Sequence, residues 1–143
     1  MKQPLDQALD KLTEGRGRVE VDTPTGRATV DVVDVDRIGV RVRRVRVHRD
    51  EPFDIAREAA TIGDRLRALP DRVVPVEVDP RLGGAVLRTR PDEVREREYF
   101  EVELDGTNDI EARRVRAREG GGREGTDWAM TRDQLGRLVD ELG

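Results

Sequence analysis

Apolar residues recur at helical spacing in two segments of the first half of the chain. Residues 4–15, PLDQALDKLTEG, place three leucines and an alanine on one face, with a proline in the first turn and a glycine after the last. Residues 52–69 repeat Ile, Ala and Leu at three- and four-residue steps. Asp50 or Glu51 precedes this segment as a candidate N-cap, and Pro70 ends it. We predict two amphipathic helices here.

Elsewhere apolar and polar residues alternate, which is typical of half-buried strands. The runs RVEVD, RATVDVVDVD and GVRVRRVRVH, separated by TPTG and RIG, predict an antiparallel three-strand meander over residues 18–48. RVVPVEV, GAVLRTR, EYFEVEL and IEARRVRA predict four further strands, and TDWAM is a candidate fifth. Pro75 has no N–H to donate, so it predicts an edge strand or a bulge.

The last segment predicts a third helix and completes the fold class. Thr131 followed three residues later by Gln134 is a capping-box pattern, and the apolar residues at 135, 138, 139 and 142 lie on one helical face. The order is therefore helix, three strands, helix, four or five strands, helix. It predicts a single α+β domain over residues 1–143, with a mainly antiparallel sheet and the helices packed on one face.

Charges in the meander predict the register of its strands. If residues 36–39, DRIG, form a four-residue loop with Gly39 in the left-handed conformation, apolar residues face apolar residues and acids face arginines. The predicted pairs are Val35–Val40, Asp34–Arg41, Val33–Val42, Asp31–Arg44 and Val30–Val45 in the second hairpin, and Asp22–Arg27 and Arg18–Asp31 in the first. Opposite charges across strands contribute about 0.2–1 kcal/mol a pair, enough to help select a register.

A short echo links the two halves of the chain. RRVRV at residues 43–47 recurs as RRVRA at residues 113–117, each after an acidic alternating strand. Internal duplication and chance both explain so short a match in an arginine-rich chain.

Composition limits the classes of partner. Charged residues are 41% of the chain, and the signs nearly balance, with 27 basic against 31 acidic residues. This balance predicts a heavily solvated surface and argues against a polyanion binder. All but two of the basic residues are arginine, which reflects either codon usage or planar, bidentate partners. No apolar run resembles a signal peptide or a membrane span, so we expect a cytoplasmic protein without a membrane partner.

The chain offers few groups for catalysis. It has no serine and no cysteine, and its only histidine, His48, lies beside arginines on a predicted strand, as surface histidines do. We therefore predict no catalytic, cofactor-binding or metal-ligating residue and no cofactor. The alternative left open is an enzyme that uses only Asp, Glu and Arg, because carboxylates can form an oxygen-ligated site or an acid/base pair.

Five residues are candidates for binding. In the predicted register Arg43 has no acid opposite it, and Arg43, Arg46 and Arg49 carry the alternative hypothesis of a nucleic-acid-binding face. Nucleic-acid proteins usually add stacking aromatics, and none lies in this stretch, so we expect a structural strand and no nucleic-acid partner. Tyr99 and Trp128 are large amphipathic aromatics of the kind enriched at interfaces, although Trp128 equally suits the edge of the core.

The order of the helix LDQALDKL, the meander of residues 18–48 and the helix of residues 52–69 resembles the type III secretion chaperone-like architecture. Members of that superfamily bind other proteins as dimers, so the resemblance implies a protein partner. The sheet edges, which must be paired, covered or charged, and the missing nucleophiles favour the same function. We expect a non-enzymatic protein-binding or adaptor domain, chaperone-like, that forms a homodimer.

Overall fold

The computed structural model describes residues 2–93 and 97–143. In chain order the elements are α1 (Lys2–Asp10), β1 (Gly17–Thr23), β2 (Gly26–Val35), β3 (Gly39–Arg49), α2 (Ile55–Arg65), β4 (Val73–Asp79), β5 (Gly84–Thr89), β6 (Glu98–Asp105), β7 (Asp109–Ala117), β8 (Arg123–Thr126), β9 (Trp128–Thr131) and α3 (Arg132–Leu142). Short 3-10 turns occupy Thr13–Gly15 and Pro91–Glu93. This sequence of elements confirms the α+β class.

The described strands form one antiparallel sheet in the order β1-β2-β3-β7-β6-β5-β4. The predicted meander is confirmed as β1, β2 and β3, and a second meander of β4 to β7 meets it where β3 pairs with β7. Beyond that pairing, β8 lies against the C-terminal end of β7 and β9 against the N-terminal end of β3. The run TDWAM therefore contributes to two strands instead of one.

All three described helices lie on one face of this sheet, as predicted. Their buried residues join the inward valines and leucines of the strands in a single aliphatic core; they are Leu5, Leu9, Ile55, Ala59, Ile62, Leu135, Leu138, Val139 and Leu142. Burying such side chains contributes about 1.5–3 kcal/mol each. The helix-covered face therefore supplies most of the driving force for folding.

Two helix boundaries differ from the prediction. α2 begins at Ile55, and its N-cap is Asp54 instead of the predicted Asp50 or Glu51. The Asp54 carboxylate accepts a hydrogen bond of 2.9 Å from the Arg57 N–H. α2 ends at Arg65, and Leu69 is buried beyond the helix. α1 ends at Asp10, earlier than the predicted stop at residue 15. The capping box at the start of α3 is confirmed.

A glycine brings α2 close to the sheet. A Cβ atom at Gly63 would lie 2.5 Å from the carbonyl oxygen of Val73 in β4, closer than real side chains approach. Glycine in a helix interior is destabilising by about 0.5–1 kcal/mol relative to alanine, so its presence here follows from the close contact between helix and strand.

The predicted register of the meander is largely confirmed. The confirmed pairs are Val35–Val40, Asp34–Arg41, Asp31–Arg44, Val30–Val45, Asp22–Arg27 and Arg18–Asp31. One pair is wrong: Val42 lies opposite Val32 instead of Val33, so Val33 and Arg43 are each unpaired in this ladder. The doubled valines and doubled arginines thus form two neighbouring irregularities instead of facing each other.

The loop between β2 and β3 is closed by a side chain. Gly39 does not have the predicted left-handed conformation. Instead, the Asp36 carboxylate accepts hydrogen bonds from the N–H groups of Ile38 at 2.9 Å and Gly39 at 2.7 Å. These two bonds lower the pKa of Asp36 below its ordinary value. The hydrogen bonds of the Asp36 side chain therefore stabilise this turn, in place of the left-handed conformation that was expected at Gly39.

The echo between residues 43–47 and 113–117 does not join equivalent positions. Val45 lies in the core. Its counterpart Val115 follows Arg114, whose guanidinium lies 4.6 Å from the ring centre of Phe100 on the helix side. Because successive residues of a strand face opposite ways, Val115 lies on the other face of the sheet. This mismatch favours chance as the origin of the echo.

Candidate interaction surfaces

The side of the sheet opposite the helices, named the charged face, carries acidic and basic side chains in alternation with the buried apolar positions. Its members are Arg18, Asp31, Arg44, Arg46, Arg88, Glu101, Glu103, Asp105, Asp109, Glu111 and Arg113. They come from six strands, so side chains distant in sequence become neighbours.

A continuous series of ion pairs crosses the charged face. Its distances are 3.0 Å for Arg18–Asp31, 2.8 Å for Asp31–Arg44, 3.9 Å for Arg44–Glu111, 3.2 Å for Glu111–Arg113, 2.8 Å for Arg113–Glu101 and 3.6 Å for Glu101–Arg88. Exposed ion pairs contribute about 0–1 kcal/mol each, so the series does not hold the fold alone. Its main consequence is that these arginines already have anionic partners.

Glu101 lies near the β5 end of this series, and its side chain is only 1% exposed. Its carboxylate accepts hydrogen bonds from Arg113 at 2.8 Å and Arg123 at 3.0 Å, and Arg88 Nε lies 3.6 Å away, beyond hydrogen-bond length. Burial alone would lower the pKa of Arg113, but the hydrogen bond to Glu101 and the nearby carboxylates, including that of Glu103, raise it above its ordinary value. Glu101 is therefore a satisfied buried carboxylate.

Arg46 and Arg43, two of the candidate binding residues, lie on β3 and differ in their partners. Arg46 reaches Asp105 at 3.1 Å, Glu111 at 3.4 Å and Asp109 at 3.7 Å. Burial alone would lower the pKa of Arg46, and these carboxylates outweigh it and raise the pKa. Arg43, at the irregularity in β3, makes no ion pair or hydrogen bond with the residues that the structure describes. Only Arg43 of this pair has a guanidinium without an anionic partner.

Arg49 lies on the helix side of the sheet. Its guanidinium is 2.5 Å from the Glu58 carboxylate of α2, donates to the Leu142 carbonyl of α3 at 2.8 Å, and lies 5.0 Å from the ring centre of Phe53. Burial alone would raise the pKa of Glu58, but hydrogen bonds from Arg65 and Arg49 outweigh it and lower the pKa. Arg49 thus joins β3 to two helices, which is a structural role.

The two candidate aromatics also separate. Trp128 is buried and meets Phe100 edge to face, with ring centres 5.4 Å apart and planes at 83°. Tyr99 is half-buried, and its hydroxyl accepts a hydrogen bond of 3.3 Å from Arg123. Arg46 and Tyr99 therefore lie on the charged face and Arg49 and Trp128 on the helix side, while Arg43 is exposed at the irregularity in β3.

A group of exposed apolar side chains lies at the β4 edge of the sheet. Val76 and Val78 are 52% and 43% exposed, and Leu82, in the turn that follows, is 86% exposed. The fourth large exposed hydrophobic of the described chain, Ile38, lies in the loop between β2 and β3. We name Val76, Val78 and Leu82 the edge patch. Grouped exposed apolar side chains of this kind mark contact surfaces.

A pocket of about 230 Å³ adjoins the edge patch at Leu82. Its other lining residues are Glu77, Asp79, Gly83, Gly84, Ala85, Val86, Glu103, Leu104 and Asp105. Glu103 and Asp105 pair with arginines of the charged face. Glu77 makes no ion pair within the described chain. The pocket therefore combines an apolar wall with an acidic rim.

Strand periodicity alone did not predict the edge patch. RVVPVEV alternates like a half-buried strand, and this pattern alone does not indicate which of its valines are exposed. Val78 does face the helix side, opposite the buried Ala85, yet it stays exposed at the free edge. The available signal was Pro75, whose predicted edge strand and bulge are both confirmed, since β4 ends the strand order and its register shifts between Pro75 and Glu77.

Comparisons with known proteins give no match: no family model, no curated protein and no solved structure matches this chain. None of the described helices is both long enough and apolar enough to cross a membrane. Among residues 2–93 and 97–143, no group of three or more His, Asp or Glu side chains is arranged to hold a metal ion.

Proposed function

We propose that this chain is a non-enzymatic protein-binding domain, of the adaptor or chaperone-like kind, and that its protein partner docks on the edge patch. The observation that carries the proposal is that three of the four large exposed apolar side chains of the described chain lie on one edge strand and in the turn that follows it. Removing apolar surface from water is favourable by about 25 cal/mol per Å², so covering these side chains stabilises a complex. The absence of cysteine suits the reducing cytoplasm, where we place the protein.

The pocket suggests the chemistry of the partner. An apolar side chain of the partner fits beside Leu82, against Val86. Glu77, on the rim, has no basic partner within the described chain, so it favours a lysine or arginine next to that side chain. The partner segment is therefore one that combines apolar and basic residues.

The ion pairs of the charged face weigh against the two alternative functions. A nucleic-acid-binding face needs guanidinium groups free to meet phosphates, and Arg46 already has carboxylate partners. An enzyme that works with carboxylates needs an acid or base poised to exchange a proton, and Glu101 and Glu111 are held by arginines. Protein binding at the edge patch requires neither.

The test compares capture of proteins from a native lysate by three forms of the chain: the unchanged chain, the variant V76T/V78T/L82S, and the control I38S. The control removes the fourth exposed hydrophobic, which lies outside the edge patch. We expect a partner that binds the unchanged chain and I38S but is lost with the triple variant. The purified partner should then bind the triple variant at least about tenfold more weakly by calorimetry, as for loss of an interface anchor.

A second variant, E77K, tests the acidic rim, because it should weaken a basic partner while leaving the edge patch unchanged. Equal capture by all three forms, loss of the partner with I38S as well, or capture of no protein would each contradict the proposal. Circular dichroism and urea unfolding confirm that every variant is folded before capture is compared.

A further inference from the structure

The two free edges of the sheet differ in how they are protected against strand pairing. β4 carries Pro75 and a register shift after it, two features that prevent the addition of another strand. β1 has no proline, and its pairing with β2 runs without a shift from Gly17 to Thr23. The outer side of β1 is therefore an uninterrupted strand edge that is regular after its first residue, Gly17, whose φ is positive.

A groove runs along this edge. It has a volume of about 550 Å³ and lies between α1 and β1. Its lining from α1 and the residues after it is Pro4, Gln7, Ala8, Lys11 and Leu12, and its lining from β1 is Arg18, Val19, Glu20, Val21 and Asp22. A groove between a helix and an unpaired strand edge is a site where an extended segment adds to a sheet.

The charges of β1 match a second copy of the same strand. When two β1 strands run antiparallel with Val19 opposite Val19 of the second copy, Arg18 faces Glu20 of the second copy, and the symmetry repeats this pair. Both central charged positions of the strand therefore meet the opposite sign.

The neighbouring registers lack this match. Centring the pair on Val21 sets Glu20 opposite Asp22 of the second copy, twice. Centring it on Glu20 sets Arg18 opposite Asp22 but places the two glutamates together on the axis. Sliding one strand by a single residue against the other places apolar side chains opposite charged ones, so the apolar and charged faces are no longer separate. Among these antiparallel registers, the charge pattern thus favours the one centred on Val19, in which no two like charges face each other.

We propose that the chain forms a two-fold symmetric homodimer in which the β1 edges of two copies pair antiparallel, with Val19 on the symmetry axis. The same surface of each copy meets itself, as closed dimers require, and the sheet becomes continuous across both copies. The dimer does not use the edge patch, and from the charged face it uses only Arg18, at the margin beside Asp31, so it goes beyond the proposed function and does not rest on it.

Charge reversal tests the interface by sedimentation equilibrium. E20R sets arginine opposite arginine in a homodimer, R18E sets glutamate opposite glutamate, and each should weaken the dimer at least about tenfold. Mixed in equal amounts, the two variants should associate as strongly as the unchanged chain, because every pair in the mixed dimer is again opposite in sign. The matched control E77R, a reversal on the other edge strand, should leave the dimer unchanged.

Cysteine cross-linking tests the register, because the chain has no cysteine of its own. Under a mild oxidant, R18C mixed with E20C should give a mixed disulfide dimer, and E20C alone should give little. A monomeric unchanged chain, an E20R dimer of full strength, failure of the mixed variants to associate, or efficient cross-linking of E20C alone would overturn the proposal. Capture of a partner by monomeric E20R would show that the edge patch binds without the dimer, so the two proposals can be tested separately.

Discussion

The two faces of the sheet bury side chains of the same central strand by different means. On β6, Phe100 and Leu104 face the helices and are fully buried in the core, whereas Glu101 faces the other way and is almost as well buried. Phe100 excludes water because Trp128 and Arg114 lie against its ring, and Leu104 does so within the apolar core that the helices share. Glu101 excludes water because arginine side chains from β5, β7 and β8 close over it.

This difference separates stability from specificity. Apolar burial is large and non-directional, so the helix-covered face provides most of the folding free energy. Ion pairs across strands are small in energy but depend on which residues stand opposite, so the charged face helps to fix the register. Arginines that already pair with carboxylates are poor ligands for an outside anion, so we expect a partner to bind at the edges of the sheet.

The largest expected effect belongs to the helix-covered face. F100A removes a fully buried ring that contacts Trp128, and we expect a loss of about 3–5 kcal/mol in the free energy of unfolding, measured in urea. The control on the same strand is E103A, which removes a half-buried ion-pair partner and should lose under about 1 kcal/mol. Similar losses for the two variants would contradict the division between the faces.

Glu58 provides the next effect and a pH dependence. Because the pKa of Glu58 is lower in the folded chain than its ordinary value of 4.5, its stabilisation is fully present above that pH and is lost as the pH falls through the folded value. At pH 7 we expect E58Q to lose about 1.5–3 kcal/mol, as for hydrogen bonds to charged groups. Measured by urea unfolding between pH 7 and pH 3, the free energies of unfolding of the unchanged chain and E58Q should converge in acid. A difference that stays constant with pH would contradict this role for Glu58.

Glu101 is the matching carboxylate on the charged face, and its replacement should matter less. Its arginine partners are partly exposed, with Arg123 46% and Arg113 31% accessible, so water can solvate them when the carboxylate is neutralised. We expect E101Q to lose about 1–2 kcal/mol in urea unfolding at pH 7. A loss equal to that of F100A would show that the charged face carries as much stability as the core.

The smallest effect is expected at Arg43. R43Q removes a guanidinium that has no partner in the described chain, so the free energy of unfolding should stay within about 0.5 kcal/mol of the unchanged chain. Its neighbour R44Q loses the pairs with Asp31 and Glu111 and should be measurably less stable. A larger loss for R43Q than for R44Q would show that the irregularity in β3 is misplaced.

Local pattern predicted the first meander better than anything else in the chain. Alternation and charge matching gave Asp31 opposite Arg44, because a hairpin is short enough for neighbouring residues to determine its register. They did not give the pairing of β3 with β7, because that contact joins residues far apart in sequence and no local period encodes it. The position of the irregularity was one residue off, since either Val32 or Val33 can face Val42 without changing the outer pairs.

The candidate surfaces were harder to predict for the same reason. The burial of Glu101 depends on Arg88, Arg113 and Arg123, which come from three other strands. The exposure of Val78 depends on where β4 lies in the strand order, which the alternation of its own residues does not contain. Arg49 was predicted among the free arginines because its partner Glu58 lies on the following helix.

Binding of nucleic acid tests the central claim, that the arginines of the charged face are held by the sheet's own carboxylates. Fluorescence anisotropy would follow labelled single-stranded RNA and double-stranded DNA titrated with the chain at low salt, beside the variant R43E/R46E. The account predicts no saturable binding by either form. Tight binding by the unchanged chain that weakens steeply as salt rises, and that disappears in the folded variant, would contradict it.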